Sequence, residues 1–379
     1  MAFIHPAIVL AISYIIVAFF ITSTKSLSFF SVLDESGDAP MSDMYMYINW
    51  RRGPAELNTK ITFVDIDSCK DRFEIARVIE QINALHPEVI GLDVFFRNRK
   101  DSREDDTLEN VIRASRNLVV SCIVESEQQD DICDTVHRNF IIDGDGEERH
   151  FPEGFINLDS DGFSAVRTFT PRLFYRHEQS LDTLYSFAAQ VVRLFDETAF
   201  YTLLQRTGNL ELIHFRPLRF YEIDKNEIED NPELITGKIV LIGSLSEDLH
   251  KTPVNQQMRG MDIHAQIISA IVDEKYVDRI DNGWTKLVNV MFCYLFTLFC
   301  WFATTRFHKG VGILIKLVQV LILGIVFFAG YHLFNHYRID MTYTSSIIVM
   351  GVVILFVDLY NVCIFAVHNY MITLKSKPE

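Results

Sequence analysis

The sequence has no glycine-rich phosphate loop, no H-E-x-x-H and no G-x-S-x-G. The signatures of nucleotide hydrolysis, zinc peptidases and serine hydrolases are therefore missing. Gly243-Ser244-Leu245 lacks the glycine framing of a nucleophile elbow. No internal repeat or low-complexity tract argues for a solenoid or a linker protein. Cysteine is scarce, with six in 379 residues. Cys69, Cys122 and Cys133 fall in the polar middle of the chain, and no pair has zinc-ligand spacing. Cys122 and Cys133 flank a short polar stretch, and they are the pair that a disulfide would join in an oxidising compartment. Positive charge is short as well, at 35 Lys and Arg against 50 Asp and Glu. Residues 24–283 alone carry 28 basic and 47 acidic residues, a difference of −19. Such an acidic region excludes nucleic acid as a partner and disfavours an anionic lipid surface.

Long apolar runs stand at both ends of the chain. They are Pro6 to Ile21, Trp284 to Thr304, Val311 to Phe334 and Tyr343 to Val367. Spanning hydrocarbon takes roughly 20 apolar residues, and the last three meet that length. The first is shorter. It has neither a basic residue before it nor a small-x-small cleavage site after it, so it reads as a retained anchor rather than a signal peptide. Arg306 and Lys309 lie between the second and third runs, and Lys375 and Lys377 follow the fourth. Basic residues in short loops mark the cytoplasmic side. That rule predicts four crossings, with both termini cytoplasmic and residues 24–283 outside, in a bacterial inner membrane. The expected organisation is an anchor over 1–23, an outer domain over 24–283, three spans over 284–368 and a short tail over 369–379. Lys316 and Asp358 fall inside the third and fourth spans, each roughly 10–15 Å from the cytoplasmic surface at 1.5 Å per residue. Charges at that depth are expensive, which predicts that the two pair across the helices or that one meets a partner protein.

Within 24–283, Ile61-Thr-Phe-Val-Asp65-Ile-Asp67 and Val89-Ile-Gly-Leu-Asp93-Val-Phe-Phe96 are buried strands joined by a helix over Arg72 to His86. Continuous apolar strands around a crossover helix form a βαβ unit. A helix over Thr107–Ser115 and a strand over Leu118–Val124 repeat it. Ser126 to Glu153 is an insertion or a loop. A strand pair is predicted over Phe155–Leu158 and Val166–Thr170, around the turn Asp159-Ser-Asp-Gly162. A helix over Thr183–Phe195, a strand over Lys238–Gly243 and a helix over Met261–Val272 complete the domain. The predicted fold class is α/β, a mixed, mainly parallel sheet with flanking helices, plus a bundle of about four transmembrane helices.

Open α/β sheets bind ligands beyond the carboxyl ends of their strands. Asp65 and Asp67 end the first strand, Asp93 the second, and Gly243-Ser244 another, with Asp248, Thr252 and His264 close behind. Asp65, Asp67, Asp93, Ser244, Asp248, Thr252 and His264 are therefore the candidate binding residues, for a cation, an amine or a sugar hydroxyl. The competing reading has these acceptors capping helices and closing turns. No cofactor is implied.

Several blocks together resemble a known family. They are Phe63-Val-Asp65-Ile-Asp67, Arg72 with Ala76 into Val89-Ile-Gly91-Leu-Asp93, Gly154-Phe-Ile-Asn157 with Asp161-Gly162 and Arg167, Gly237-Lys238-Ile-Val-Leu-Ile-Gly243, and Asp248, Thr252-Pro253 with Gly260-Met-Asp-Ile-His264-Ala265-Gln266. Their order and spacing are similar to the second class of CHASE-type sensory domain, the extracellular module associated with cyclases and histidine kinases. The resemblance covers most of 61–275. Ser68-Cys-Lys-Asp-Arg72 departs from it, lacking the usual aromatic-proline stretch, as do the longer turn at Phe163-Ser-Ala165 and the acidic stretch Gln128–His150. The resemblance implies sensing of an extracytoplasmic signal. Related chains continue into an output enzyme, whereas only His368 to Glu379 follow the last apolar run here. The reading is thus a non-enzymatic sensory subunit that signals through another membrane protein. Its expected partners are membrane lipid, that protein, and an unidentified small-molecule or protein ligand outside. A scaffolding subunit of a cell-envelope complex is the alternative.

Overall fold

A computed structural model describes residues 4–24, 41–125, 132–133, 135–140, 152–158, 165–177, 180–206, 210–280, 283–306, 312–341 and 343–375. The predicted turn at Asp159–Gly162, most of the Ser126–Glu153 segment, and Lys309 and Lys377 lie outside these residues. The chain forms two compact units, Met46–Val277 and a second built from Met1–Tyr45 with Asp278–Glu379. The expected outer domain, 24–283, is wider than the first unit at both ends.

The chain opens with α1 (Ile4–Thr24) and α2 (Met41–Arg52), and the division between the units falls inside α2. The globular unit begins β1 (Glu56–Asp65), α3 (Arg72–Ala84), β2 (Val89–Asp93), α4 (Ser102–Ala114), β3 (Leu118–Glu125). Both helices start where an Asp side chain takes up free amides. Asp71 accepts from the Glu74 amide at 3.0 Å, and Asp101 accepts from Arg103 at 2.9 Å and Glu104 at 3.3 Å. The Asp101 cap starts α4 a turn and a half before the predicted Thr107.

Short strands follow: β4 (Ile132–Cys133), β5 (Thr135–His137), β6 (Glu153–Phe155), β7 (Thr168–Phe169), β8 (Arg172–His177) and β9 (Ser180–Tyr185). Next come α5 (Phe187–Phe195), α6 (Glu197–Leu204), β10 (Glu211–Leu212) and β11 (Leu218–Asp224). The unit ends with β12 (Ile239–Gly243), β13 (Leu249–His250), β14 (Met258–Arg259) and α7 (Gly260–Val272).

The main sheet has the order β11-β1-β12-β2-β3, and β3 then pairs with β6 in parallel and with β5 antiparallel. All of its other pairings are parallel. On one face, Val64, Ile90, Leu92, Val120, Val240 and Ile242 pack with Ile79 and Ile82 of α3 and with Leu108 and Ile112 of α4. On the other face α5 lies over β2, with Phe187 and Val191 against Gly91.

Three predictions change. The expected pairing of 155–158 with 166–170 does not form, because β6 is recruited by β3 and β7 by β10. Residues 183–185 extend β9 instead of starting a helix, and Ser186 caps α5 by accepting from the Ala189 amide at 3.3 Å. The edge strand β11 has no counterpart among the predictions. Its Leu218-Arg-Phe-Tyr-Glu-Ile-Asp224 is half exposed and breaks the continuous apolar signal of a buried strand.

The second unit continues with β15 (Asp278–Ile280), α8 (Gly283–Arg306), α9 (Gly312–Tyr337), β16 (Ile339–Met341) and α10 (Thr344–Lys375). Three helices are long and apolar enough to cross a membrane: Gly283–Arg306, Ile313–Tyr337 and Ser346–Val367. The apolar stretch of α1, Ile4–Phe19, is shorter. It packs through Val9, Leu10 and Val17 against Cys293, Phe296 and Cys300 of α8 and against Val349, Val353 and Val357 of α10. A parallel two-stranded ribbon, β15 with β16, sits beyond the helices and is held by an Arg279–Asp340 contact of 3.3 Å. Tyr343 meets Tyr45 hydroxyl to hydroxyl at 2.5 Å, and Tyr45 donates to the Phe327 carbonyl at 3.3 Å. Gly330 makes this clasp fit, since a Cβ there would overlap the Tyr343 hydroxyl.

Candidate functional site

Parallel register aligns the carboxyl ends of four neighbouring strands. Asp224 of β11 pairs with Asp65 of β1, Asp65 with Gly243 of β12, and Gly243 with Asp93 of β2. The candidate residues therefore meet along one edge, but the structure divides them into two groups.

The first group builds loops. Asp65 Oδ1 accepts from the Asp67 amide at 2.9 Å. Asp67 Oδ2 accepts from the amides of Leu245 at 3.1 Å and Ser246 at 2.9 Å, tying the loop after β1 to the loop after β12. The slight burial of Asp67 would raise its pKa, but hydrogen bonds from Ser244, Ser246 and Leu245 outweigh that and hold it below the ordinary carboxylate range. Ser244 Oγ accepts from Ser246 N at 3.3 Å and Glu247 N at 3.0 Å. Thr252 is buried and spent on its own turn, where its hydroxyl donates to the Asn255 carbonyl at 2.9 Å and accepts from the Asn255 amide at 3.0 Å. For these residues the turn-closing reading holds.

The second group is Asp93, Asp248 and His264, joined by His250. Asp248 takes a left-handed backbone, φ 57°. Its Oδ1 lies 2.8 Å from His250 Nε2, and its carbonyl accepts from the Gly260 amide at 2.9 Å. The carboxylate stands over the first turn of α7, where a Cβ at Gly260 would overlap it. The His250 hydrogen bond depresses the Asp248 pKa, against the opposing effect of burial. Asp93 makes no hydrogen bond through its carboxyl group among the described residues, and burial together with the negative charge of Asp248 lifts its pKa to about 7, with His250 opposing. His264 is 4% exposed and packs edge-on against Phe187, ring centroids 5.3 Å apart. Burial drives its pKa down to about 4, with Asp248 opposing and His250 adding to the fall. Its buried Nδ1 has no hydrogen-bond partner among the described residues.

At neutral pH this group thus combines a half-protonated carboxyl, a neutral imidazole whose buried Nδ1 has no hydrogen-bond partner among the described residues, and the Asp248 carboxylate bonded to His250. It offers donors and acceptors without a free hydroxyl or thiol, which suits recognition of a polar ligand. His250 escaped the sequence reading, because nothing in its spacing sets it apart from an ordinary loop histidine.

Other positions of the motif blocks hold the scaffold. Arg72 is 5% exposed and pairs with the fully buried Asp105, donates to the Asn98 carbonyl at 2.8 Å, and lies over the rings of Phe96 and Phe140 at 5.1 and 4.7 Å. Gln266 accepts from the Arg216 amide at 3.1 Å and donates to the Arg216 carbonyl at 2.9 Å, fixing α7 to the segment before β11.

The disulfide between Cys122 and Cys133 is not formed. Cys122 is on β3 of the main sheet and Cys133 on β4 of a separate three-stranded sheet, and the two meet as buried thiols in one cluster with Phe155 and Leu184. Burial raises the Cys122 thiol far above the ordinary range. In the helical unit, Lys316 Nζ lies 2.8 Å from Asp358 Oδ2 and donates to the Ile354 carbonyl at 2.5 Å.

A family model described as the CHASE2 domain matches residues 14–304. No curated protein and no solved structure shows a significant match. The match spans the whole globular unit, with β1, β12 and α7 carrying the blocks that frame the site, and the chain belongs to the CHASE2 family of extracellular sensory domains.

Proposed function

We propose that the chain is a membrane-anchored, extracytoplasmic sensor that binds a small polar ligand at the Asp93–Asp248–His264 cluster and passes the signal to a separate membrane partner without catalysing a reaction. One observation carries this reading. Asp248 lies over the first turn of α7, its charge acts on the strand-end carboxyl of Asp93, and the chain runs from α7 to α8. A ligand that repositions Asp248 therefore acts on the helix nearest in sequence to a membrane-crossing segment. It shifts the balance of states only to the extent that it binds them unequally. An amine fits the negative charge of Asp248 and Asp93, and a hydroxyl fits the open nitrogen of His264. Consumption of Ser244 and Thr252 in turns supports binding over nucleophilic chemistry. The orientation in a bacterial inner membrane, with both termini cytoplasmic, rests on the basic residues Arg306, Lys309, Lys375 and Lys377.

The test is thermal unfolding of the full chain in detergent against a panel of amines, sugars and polyols. Binding gives a saturable rise in Tm, by about 2.7 kcal/mol of stabilisation at a hundredfold excess over Kd, and Asp93→Ala removes it. A stoichiometric partner that co-purifies regardless of every compound, with no Tm response, would replace the sensor with a scaffold.

A further inference from the structure

An open groove of about 560 Å³ lies in the helical unit, lined by Thr304 of α8, Ile315, Lys316, Leu317 and Val320 of α9, and Asp358 of α10. Its walls are apolar and its centre is the Lys316–Asp358 pair. The pair is far from enclosed, since the side chains are 32% and 51% exposed. An ionised carboxylate has room for about four hydrogen bonds. Among the described residues Asp358 is met only by Lys316. Acyl chains can fill such a groove but leave the carboxylate unsatisfied, at a cost of several kcal/mol for a charge in hydrocarbon.

The direction of Lys316 decides what covers it. A lysine near a helix end ordinarily extends its ammonium toward the headgroups. Lys316 sits in the second turn of α9, yet its ammonium bonds to the Ile354 carbonyl, one turn further from the end of α10 than Asp358. It reaches into the bilayer, away from any headgroup. The open face of Asp358 therefore looks onto hydrocarbon depth, where the available hydrogen-bond donors belong to protein. With Lys316 already neutralising the carboxylate, the complement is an uncharged donor.

We propose that this groove seats a transmembrane helix of the partner protein, which inserts apolar side chains between α9 and α10 and donates a hydrogen bond from Ser, Thr, Asn or Gln to Asp358. The proposal rests on the reading that a membrane partner exists and specifies where it docks.

The test places the photo-crosslinker p-benzoylphenylalanine in the full chain in native membranes, as Val320→p-benzoylphenylalanine in the groove and Phe302→p-benzoylphenylalanine on a lipid-exposed face outside it. The expected result is one heterologous protein adduct from position 320 and none from 302. Its attachment point should map within one helical turn of a Ser, Thr, Asn or Gln in an apolar segment. Asp358→Leu should cut the adduct at least tenfold. The double change with Lys316→Leu, which restores an uncharged groove, should keep the Tm of the single variants or better and still lose the adduct. An adduct of twice the chain's mass, adducts to lipid alone, or an adduct that survives Asp358→Leu overturns the proposal. A partner that co-purifies but crosslinks only from position 302 overturns the docking site and leaves the sensor reading standing. Failure of any partner to co-purify sinks both.

Discussion

Two ion pairs show how differently the two units treat charge. Arg72 and Asp105 are sealed, with side chains 6% and 0% exposed, and carbonyl, amide and two aromatic faces supply the rest of their surroundings. Lys316 and Asp358 also touch, but their side chains are open on one side. Hydrophobic burial drives the globular unit together, so it can complete a polar network internally. The helices are apolar toward their surroundings as well as toward each other, and lack that drive. A closed pair fixes a fold, whereas an open one leaves a valence for another molecule. The Asp248–His250 contact is open too, with the Asp248 side chain 67% exposed, and it adjoins a carboxyl and an imidazole that have no hydrogen-bond partner among the described residues.

The largest effect expected comes from unsealing the closed pair. Asp105→Ala strands a buried guanidinium and should lower stability by about 3–5 kcal/mol. A loss below about 1 kcal/mol in denaturant unfolding would erase the contrast between the two pairs.

The site residues come next, through pH. Asp93 holds its proton to about pH 7 in the fold and to about 4 when unfolded, so its contribution falls as pH rises from 4 to 7. His264 titrates near 4 in the fold and near 6.5 unfolded, so its contribution is complete above 6.5 and is lost as pH drops toward 4. The Asp93 window spans about 4 kcal/mol and the His264 window about 3 kcal/mol, and in the native protein the two slopes oppose each other and largely cancel. Tm measured from pH 4 to 7 should therefore be nearly flat. Asp93→Asn should leave stability rising with pH, and His264→Leu should leave it falling. Slopes of the same sign in both variants would mean that these groups do not titrate as the site requires.

Gly260→Ala should cost about 1–3 kcal/mol, because the Asp248 carboxylate must leave its place over α7. It should also weaken any ligand response more than it weakens the fold, which a thermal shift with and without ligand would separate. The smallest effect belongs to the open pair. Asp358→Leu should destabilise the detergent-purified chain by about 1 kcal/mol, and adding Lys316→Leu should recover part of that. A double variant that is as damaged as the single would mean that the two residues act separately.

Much of the globular fold is legible in the residues. Ile61–Asp65, Val89–Asp93 and Ile239–Gly243 are unbroken apolar runs, which buried parallel strands require. Strands dominated by a half-exposed edge, such as β11, or by two or three residues, such as β7 and β10, carry no such pattern. The edge of the sheet was foreseeable from where those runs end in Asp or Gly. How the edge divides was not. Whether a carboxylate closes a turn, as Asp67 does, or stays unbonded, as Asp93 does, depends on amides brought in by the loop after β12 from far along the chain. The contact of Lys316 with Asp358 follows from depth alone, since two costly charges at one level have few other places to go.

Strand order carries a consequence for how the molecule is made. β12 lies between β1 and β2, yet it is synthesised after every other strand of that sheet. Until Ile239–Gly243 emerges, the earlier strands leave an unfilled slot whose two unpaired borders invite wrong partners. The nascent chain therefore needs protection for most of its length, and its last step of sheet assembly is also the one that brings Asp248 to Asp93. A chain truncated before Lys238 should be insoluble rather than merely inactive.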